Sequence, residues 1–589
     1  DSVNPGDQMS HSMRKAVLTA SLLLGKGDVG AWALEKGWPN AVDEIMTLIT
    51  SREETAMIVA SELLSAASTV EKSRPMLAPL MQRGGIETLL KSENSNVRSG
   101  AASALAKVGL GDKTLSHDEG EVLGLLQVAA DLLEIDDDNS EGNETTLERG
   151  VELLSYLCSK TMVKEEVAHG FKSIKSELTA LERLVAISNS KVIDNDTASA
   201  GVMAYGLATA FSLLPVSLQT LRKEAFEGKD ITMEQYDELQ KMGKTQEEKE
   251  LATQQEEELD TESMVSQRIV QLAKANVPQA LVSLMNSDPT EQTKNILLTA
   301  MLRMATEPSV RGIMIQQGVL STVIKVEKGL TPSDTSKNNL QKARFTIAKL
   351  LITTNPSLLQ TSQRLGSISP LLQLVHDHTS TDLQTFEALL SLTNLGSLDD
   401  ETKNKIISSK GLSILSYAMF SEHNMVRRAA TETMSNLVSH PEMQRHLAQE
   451  DKLKLWVAFA YDYEENFECA RAAAGCLAMA TSGGPHCEDI CKTLVKLPRF
   501  KTMAMGVLEC GNLELMHRIL VMCTNLVHWG ETLKEAVERA GVLAFCRLYL
   551  ERFGGRGGNE AELEFGEKDL QMMGVTIDLA KEIVTGFDS

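Results

Sequence analysis

The sequence predicts an all-α protein, an armadillo- or HEAT-like helical-repeat solenoid that forms a superhelical rod of about a dozen repeats. Only 4% of its 589 residues are aromatic and 14 are Pro, whereas Leu, Ala, Met, Glu and Lys, which favour helices, are plentiful. Apolar residues recur at helical spacing along the chain. Marker glycines lie 48 and 45 residues apart, at Gly318, Gly366 and Gly411. Armadillo and HEAT repeats have a similar length, about 40 to 47 residues.

Each repeat consists of a glycine, an apolar helix, a short polar break and a second helix rich in Ala and Leu. This order begins at Gly84, Gly366 and Gly411, and Gly541 follows Gly411 by 130 residues, or three further periods of about 43. We expect these glycines to adopt the left-handed dihedrals of a tight helix cap. Because the helices are apolar on several sides, neighbouring repeats must stack and share one continuous core.

Charge divides the predicted solenoid into segments. Residues 246–262 hold eight Asp or Glu against one Lys, so we interpret residues 228–263 as an acidic linker or exposed helix. We predict an N-terminal armadillo segment over residues 1–171, neck helices over residues 172–227, and a C-terminal armadillo domain with a binding groove over residues 264–589.

The net charge of -23 argues against nucleic acid and anionic membranes as partners, because both would repel the chain. Residues 197–221 are uncharged and long enough to span a bilayer, but their Ala, Gly, Ser and Thr content and Pro215 favour a buried helix. The eight cysteines lack the regular short spacing of disulfide-rich secreted domains, which favours a cytoplasmic location. The chain does not begin with Met, and we expect an upstream part.

No motif for catalysis is visible in the sequence. His486, Cys487 and Cys491 form a group that would leave zinc short of its usual four ligands, so we predict no metal site. The other histidines have no Ser or Cys nucleophile motif around them, and no Gly-rich run continues into Lys-Ser or Lys-Thr. We therefore predict that the protein is not an enzyme and takes no cofactor.

The stretch MVRRAATETMSNLV, residues 425–438, predicts a helix with an apolar and a polar face. The polar face and the residue just after the stretch comprise Arg428, Thr431, Glu432, Ser435, Asn436 and Ser439. When the repeats are aligned by their Ala-rich cores, the positions equivalent to Asn436 hold Lys107, Asn394, Met479 and Asn525. The last helix of each repeat is expected to line the concave side of a solenoid, so this pattern predicts a polar ladder there.

An Asn side chain offers both a donor and an acceptor, which suits the backbone amides of an extended peptide. We predict a peptide-binding groove whose residues are Asn394, Arg428, Glu432, Asn436, Ser439 and Asn525. Two alternatives stay open: the Asn side chains bond neighbouring helices or face water, and Arg428 and Glu432 pair only with each other. Of the aromatic residues clustered in 455–467, we assign Trp456 and Phe459 to the core because their spacing is helical.

From about residue 172 to residue 550 the chain resembles the UCS-domain family of myosin chaperones, named after the nematode uncoordinated-forty-five protein and its fungal relatives Cro and She. The resemblance is carried, in order, by AYGLATAFSLL, RIVQLAKANVPQALVSLM, RGIMIQQGVL, KARFTIAKLLITTNPSLL, LQTFEALLSLTNLGS, MVRRAATETMSNLVS and ECARAAAGCLAMATS. It implies a chaperone or co-chaperone that binds the myosin motor domain through the concave groove of its armadillo repeats and assists its folding and assembly.

The resemblance also implies a second partner. Animal members of the family dock heat-shock protein 90 through an N-terminal tetratricopeptide-repeat domain, and this chain shows no 34-residue pattern of that kind. Carried over to this sequence, the groove of the family includes Asn394, Arg428, Glu432, Asn436 and Asn525. The competing hypotheses are an armadillo adaptor that binds linear peptides of a non-myosin partner, and a regulatory scaffold of an enzyme complex.

Overall fold

The structure is a computed structural model. It describes residues 20, 24, 27–38, 40–82, 84–111, 119–134, 141–174, 176–190, 198–226, 260–331, 336–553 and 567–588. Regular structure in these ranges is helical, apart from an isolated antiparallel bridge between Lys172 and Thr179. The predicted all-α fold class is therefore confirmed.

The chain folds as two compact units. Unit 1 contains residues 1–322 and 332–342, and unit 2 contains residues 323–331 and 343–589. The predicted domain boundaries after residues 171, 227 and 263 stay predictions. Most of the predicted acidic linker, residues 228–263, lies outside the described residues, and its last residues lead into a helix that begins at Glu262.

The helices of unit 1 are between 6 and 17 residues long. They are α1 (Gly27–Trp32), α2 (Ala41–Thr50), α3 (Glu54–Ser68), α4 (Arg74–Gln82), α5 (Gly85–Leu90), α6 (Ser95–Gly111), α7 (Glu119–Leu132), α8 (Glu141–Leu157), α9 (Thr161–Ala168), α10 (Ala180–Ser188), α11 (Ala198–Leu213), α12 (Leu218–Phe226), α13 (Glu262–Lys274), α14 (Val277–Asn286), α15 (Glu291–Ala305) and α16 (Arg311–Gln316). A single π-helical turn, Ala33–Gly37, follows α1, and 3₁₀ turns cover Glu71–Ser73 and Pro308–Val310.

Two helices, α17 (Val319–Gly329) and α18 (Lys337–Leu351), cross the boundary between the units, and a 3₁₀ turn at Pro356–Leu358 follows them. The remaining helices belong to unit 2. They are α19 (Thr361–His376), α20 (Asp382–Gly396), α21 (Asp400–Ser408), α22 (Gly411–Ala418), α23 (Asn424–Asn436), α24 (Pro441–Leu447), α25 (Glu450–Tyr461), α26 (Phe467–Ala480), α27 (Cys487–Lys496), α28 (Phe500–Glu509), α29 (Leu513–His528), α30 (Glu531–Ala540), α31 (Val542–Phe553) and α32 (Glu567–Asp588).

The marker glycines differ in backbone conformation and in the reason why a glycine is needed. Gly318 and Gly541 adopt the expected left-handed backbone, with φ of 90° and 97°. The expectation is wrong for Gly411, because the left-handed residue there is Lys410, with φ of 64°. A Cβ atom at Gly411 would lie 2.5 Å from the Ile406 carbonyl oxygen, so glycine permits the close approach of two helices at this position. The expectation is also wrong for Gly366, which lies inside α19 and has no left-handed backbone.

Unit 1 contains a buried ionic cluster that includes residues at the start of the described range 260–331. Arg268 is fully buried and pairs with Glu165 at 2.7 Å and with Asp260 at 2.9 Å. Lys164 is also fully buried and donates to the Val216 carbonyl at 2.8 Å. Burial is the main cause that lowers the pKa of Lys164, to about 8. These bonds join α9, the segment after α11 and the start of α13.

Residues 198–213 of the uncharged stretch form α11, whose Met203, Leu207 and Phe211 are fully buried. The predicted buried helix is therefore confirmed. Within the described ranges, no helix combines the length and apolar character needed to cross a membrane.

In unit 2, the last helix of each repeat packs on the last helix of the next. Helix α20 packs on α23, α23 on α26, and α26 on α29. We call these four the ladder helices. Nine of the 14 residues of α26 are apolar and buried: Cys469, Ala470, Ala472, Ala473, Ala474, Cys476, Leu477, Ala478 and Ala480. The many small side chains among them let α26 lie between two neighbours.

The core assignment of the aromatic residues is confirmed for Trp456, which exposes 1% of its surface in α25. Phe459 on the same helix is half-buried.

We expect Trp456→Ala to lower the free energy of unfolding by about 3–5 kcal/mol, because it leaves a large cavity in the core of unit 2. Urea unfolding of the full chain, followed by far-UV circular dichroism, measures this change. Tyr417→Ala is the control; Tyr417 is 72% exposed, so we expect a change within about 0.5 kcal/mol. Equal effects of the two substitutions would contradict the packing of Trp456.

Candidate functional site

The three aligned asparagines make equivalent hydrogen bonds. Each donates from Nδ2 to a backbone carbonyl oxygen at, or just after, the C-terminal end of the last helix in the preceding repeat. Asn394 donates to Ile352 at 3.1 Å, and Asn436 donates to Thr393 at 3.0 Å. Asn525 donates to Ala478 at 3.0 Å and to the Thr481 hydroxyl at 3.2 Å. The bonds join residues 42, 43 and 47 positions apart, which is one repeat.

These bonds correspond to one of the alternatives left open by the sequence, in which asparagine side chains bond neighbouring helices. They use only part of each amide. All three side chains are half-buried, and within the described part of the chain their Oδ1 atoms have no hydrogen-bond partner. Each asparagine therefore keeps an acceptor after it has bonded the neighbouring repeat, and Asn394 and Asn436 also keep a second N–H group.

Two residues predicted on the polar face of α23 are buried instead. Thr431 is fully buried and donates to the Arg427 carbonyl at 2.8 Å, and Ser435 donates to the Ala472 carbonyl at 3.3 Å. Helix α26 covers this side of α23, and its alanines come close enough to bury small polar side chains. Ser439 follows the end of α23, is exposed, and accepts from the Lys403 ammonium group at 2.8 Å.

Arg428 and Glu432 bond each other at 3.0 Å, but they also belong to a larger network. It comprises three arginines and three glutamates on α23, α26 and α29: Arg428, Glu432, Glu468, Arg471, Glu514 and Arg518. We call this set the ionic ladder. The alternative that Arg428 and Glu432 pair only with each other is therefore wrong, because the ladder helices lie within reach of long side chains.

Arg471 is the centre of the ionic ladder. Its guanidinium lies 2.7 Å from Glu468, 3.7 Å from Glu432 and 3.3 Å from Glu514. Arg428 reaches Glu468 at 3.5 Å, which closes the network between α23 and α26. Three positive and three negative side chains leave the ionic ladder without net charge.

Arg518 extends the network across α26. It bonds Glu514 at 3.0 Å and donates to the Arg471 carbonyl at 3.0 Å. A Cβ atom at Gly475 would lie 2.2 Å from Arg518 Nη1, so the absence of a side chain there leaves space for this guanidinium. Burial acts to raise the pKa of Glu514, but the Arg518 hydrogen bond and the Arg471 and Arg518 charges outweigh it, and the pKa lies below its usual value.

Sequence reasoning missed the four members of the ionic ladder outside α23, although a signal was present for one of them. Arg471 follows Arg428 by 43 residues, the offset that aligns Met479 with Asn436. Arg518 has no such signal, since the same alignment, applied from Met479 to Asn525, assigns His517 to this position.

The His486, Cys487 and Cys491 group lies at the start of α27. Both thiols are fully buried, their sulfur atoms lie 3.9 Å apart, and burial is the main cause that raises the pKa of each. Among the residues that the structure describes, no group of three or more His, Cys, Asp or Glu side chains is arranged to hold a metal ion.

The comparisons with known proteins agree with this repeat geometry. No family model matches the chain. Its sequence is 28% identical over 558 residues to Protein unc-45 homolog B of Xenopus tropicalis, a match that covers 91% of this chain and 54% of that protein. The resemblance to the UCS-domain family is confirmed. The chain spans about half the length of this UCS relative.

Two solved UCS structures share the fold. UNC-45 from Drosophila melanogaster is 20% identical, with a TM-score of 0.66 and coverage of 97% of this chain and 65% of that chain. A crystal structure described as the myosin chaperone UNC-45 from C. elegans in complex with a Hsp90 peptide is 21% identical, with a TM-score of 0.66 and coverage of 97% and 55%. These similarities confirm the helical-repeat solenoid.

We expect Asn436→Ala to lower the free energy of unfolding by about 0.5–1.5 kcal/mol, because it removes the bond to the Thr393 carbonyl. Urea unfolding of the full chain measures the change. Ser439→Ala serves as a control, because Ser439 is exposed and bonds only a lysine side chain. A smaller effect for Asn436→Ala than for Ser439→Ala would show that the bond between the repeats contributes no stability.

The lowered pKa of Glu514 predicts a pH-dependent contribution to stability. A carboxyl group whose folded pKa is lowered stabilises the protein above its unfolded pKa, near 4.5, and this contribution disappears as the pH falls through the folded value. Glu514→Gln should therefore lower the melting temperature at pH 7 and have a smaller effect below pH 4. The control is Glu531→Gln, since Glu531 is 81% exposed. A difference between wild type and Glu514→Gln that is independent of pH would contradict the role of the carboxylate.

Proposed function

We propose that the protein is a myosin-directed chaperone or co-chaperone, which binds the myosin motor domain through its ladder helices and assists folding and assembly. The observation that carries this proposal is the similarity to an UNC-45 protein over 91% of the chain. The C. elegans neighbour of the same fold is described as a myosin chaperone. A chaperone of this kind acts by binding, so we propose a role without catalysis.

The asparagine side chains supply a physical basis for holding an extended client segment. The bond from Nδ2 to the preceding repeat fixes the orientation of each side chain before a client arrives. The Oδ1 atom of each asparagine, and the second N–H group of Asn394 and Asn436, can then bond backbone groups of the client with little loss of side-chain entropy. Backbone recognition depends little on sequence, which suits a protein that must hold a partly folded chain.

The ionic ladder supports a different role in the same site. Its charges compensate one another across three helices, and its six side chains are between 21% and 42% exposed. The carboxylates hold the arginines in place and balance their charge. A client therefore meets a rigid surface that carries no net charge. We propose that Arg428 and Glu432 border the binding groove. We call the side chains of Asn394, Asn436 and Asn525 the asparagine rungs, and we propose that they hold the client.

We propose heat-shock protein 90 as a second partner, through a tetratricopeptide-repeat segment outside these 589 residues. The complex of C. elegans UNC-45 with a Hsp90 peptide supports this proposal. We also propose a cytoplasmic location. The eight cysteines of the chain are free thiols, seven of them buried, as expected for a protein that folds in a reducing compartment.

Capture of a purified myosin motor domain tests the site. We expect Asn436→Tyr to reduce capture at least about tenfold, because the ring would fill the space beside the rung, whereas Asn436→Ala should reduce it less. Asn404→Tyr is the matched control: Asn404 is exposed and lies on α21, outside the ladder helices. Capture by Asn436→Tyr at the wild-type level would remove Asn436 from the site.

Aggregation of a heated motor domain separates the candidate functions. A chaperone slows the aggregation at stoichiometric concentrations, and the Asn436→Tyr variant should slow it less. The armadillo adaptor predicts tight binding of a short peptide and no preference for unfolded client. Binding of native motor domain with no effect on aggregation would rule out the chaperone role and leave an adaptor.

A further inference from the structure

A cleft of about 890 Å³ lies at the C-terminal end of unit 2, and none of Asn394, Asn436 and Asn525 lines it. The turn between α28 and α29 forms one wall, and α31 and the first turns of α32 form the others. The volume is within the range of about 300–1,000 Å³ that is typical of ligand sites. Its walls are more apolar than polar, and the apolar lining includes Phe545, Leu548, Tyr549, Phe553, Met572 and Met573.

The aromatic residues of α31 give the cleft a rigid wall. Phe545 and Tyr549 stack with ring centroids 5.9 Å apart, and Tyr549 and Phe553 follow at 5.0 Å. The buried Tyr549 hydroxyl bonds Thr576 at 2.9 Å, which holds α32 against α31. Leu548 on the same helix exposes 65% of its surface, and Met572 and Met573 on α32 are half-buried, so the cleft is open and the α32 side is adaptable.

The rim of the cleft is acidic. Glu509 and Asp569 are exposed, and no cation in the described part of the chain pairs with either. Arg471 also borders the cleft, but its charge is compensated by Glu468 and Glu514. Arg552 lies over the Phe553 ring at 5.3 Å. Two free carboxylates therefore face one arginine, on a chain whose net charge is -23.

We propose that this cleft is a docking site for a short amphipathic helix of a protein partner, with large apolar side chains on one face and Lys or Arg on the other. The apolar face would cover Leu548 and the methionines, and the basic residues would meet Glu509 and Asp569. Flexible methionines beside aromatic residues and an acidic rim are suited to such helices. An open cleft with an exposed leucine suits a helix better than an enclosed small ligand.

This inference goes beyond the proposed function, since the occupant need not be myosin and the asparagine rungs take no part. The cleft nevertheless adjoins the ionic ladder, because Arg471 and Glu514 belong to both. A partner docked here would lie beside α29, the last of the three helices that carry the ionic ladder.

Binding of a synthetic peptide tests the cleft. The probe is a fluorescein-labelled helical peptide of Leu and Lys with its leucines on one face, and the comparison peptide has Glu in place of each Lys. Fluorescence anisotropy with the full chain measures both at physiological salt. We expect the Lys peptide to bind at least about tenfold more tightly than the Glu peptide.

Three variants separate the cleft from a general attraction to an acidic protein. Leu548→Asp should weaken binding of the Lys peptide about tenfold, and Leu383→Asp should not, since Leu383 is 56% exposed but lies on α20. Glu509→Lys should weaken the Lys peptide and strengthen the Glu peptide.

Equal binding of the two peptides, equal losses for Leu548→Asp and Leu383→Asp, or no binding at all would overturn the proposal. Unchanged binding of the Lys peptide by all three variants would also overturn it, because long-range attraction to the negative chain would then be sufficient. Circular dichroism of each variant checks that it is folded. None of these outcomes bears on the capture of myosin by the Asn436 variants, so the two proposals fail separately.

Discussion

The structure of unit 2 depends on the stacking of the ladder helices, in which α23 and α26 each pack between two others. Helix α26 shows the constraint most clearly, because its buried alanines and cysteines face both α23 and α29. Such a helix cannot bury its surface against one partner alone, so each repeat is stable only between its neighbours. Small residues permit the close approach, and polar groups at these contacts must then find partners on the adjacent helix.

The hydrogen bonds between repeats follow from that requirement. Asn394, Asn436 and Asn525 donate to carbonyl groups near the C-terminal end of the last helix in the preceding repeat. Arg518 donates to the Arg471 carbonyl in the first half of α26, through the space left at Gly475. A residue of this kind serves both the stacking and the surface beside it, so a substitution at Asn436 affects stability as well as any bound client. Only variants that lose the same bond but differ in bulk distinguish the two effects.

The surfaces of unit 2 differ in charge and in character. The asparagine rungs are neutral and half-buried, the ionic ladder is charged but compensated, and the C-terminal cleft is apolar with an acidic rim. These surfaces suit different binding chemistry: backbone hydrogen bonds, a fixed border and the apolar face of a helix. They lie on α20, α23, α26, α29 and the following helices, all within unit 2.

The sequence by itself determined the helical class, the repeat length, the buried Trp456 and the equivalence of three asparagines, because these depend on composition and periodicity along one chain. It also indicated the pair of Arg428 and Glu432, since residues four apart on a helix are neighbours. Only the tertiary structure decided which carbonyl each asparagine bonds and that Thr431 is buried. It also decided that Arg471, Glu514 and Arg518 complete a network and that α32 closes a cleft against α31. Each of these depends on the distance and rotation between separate helices, which packing sets and local sequence does not.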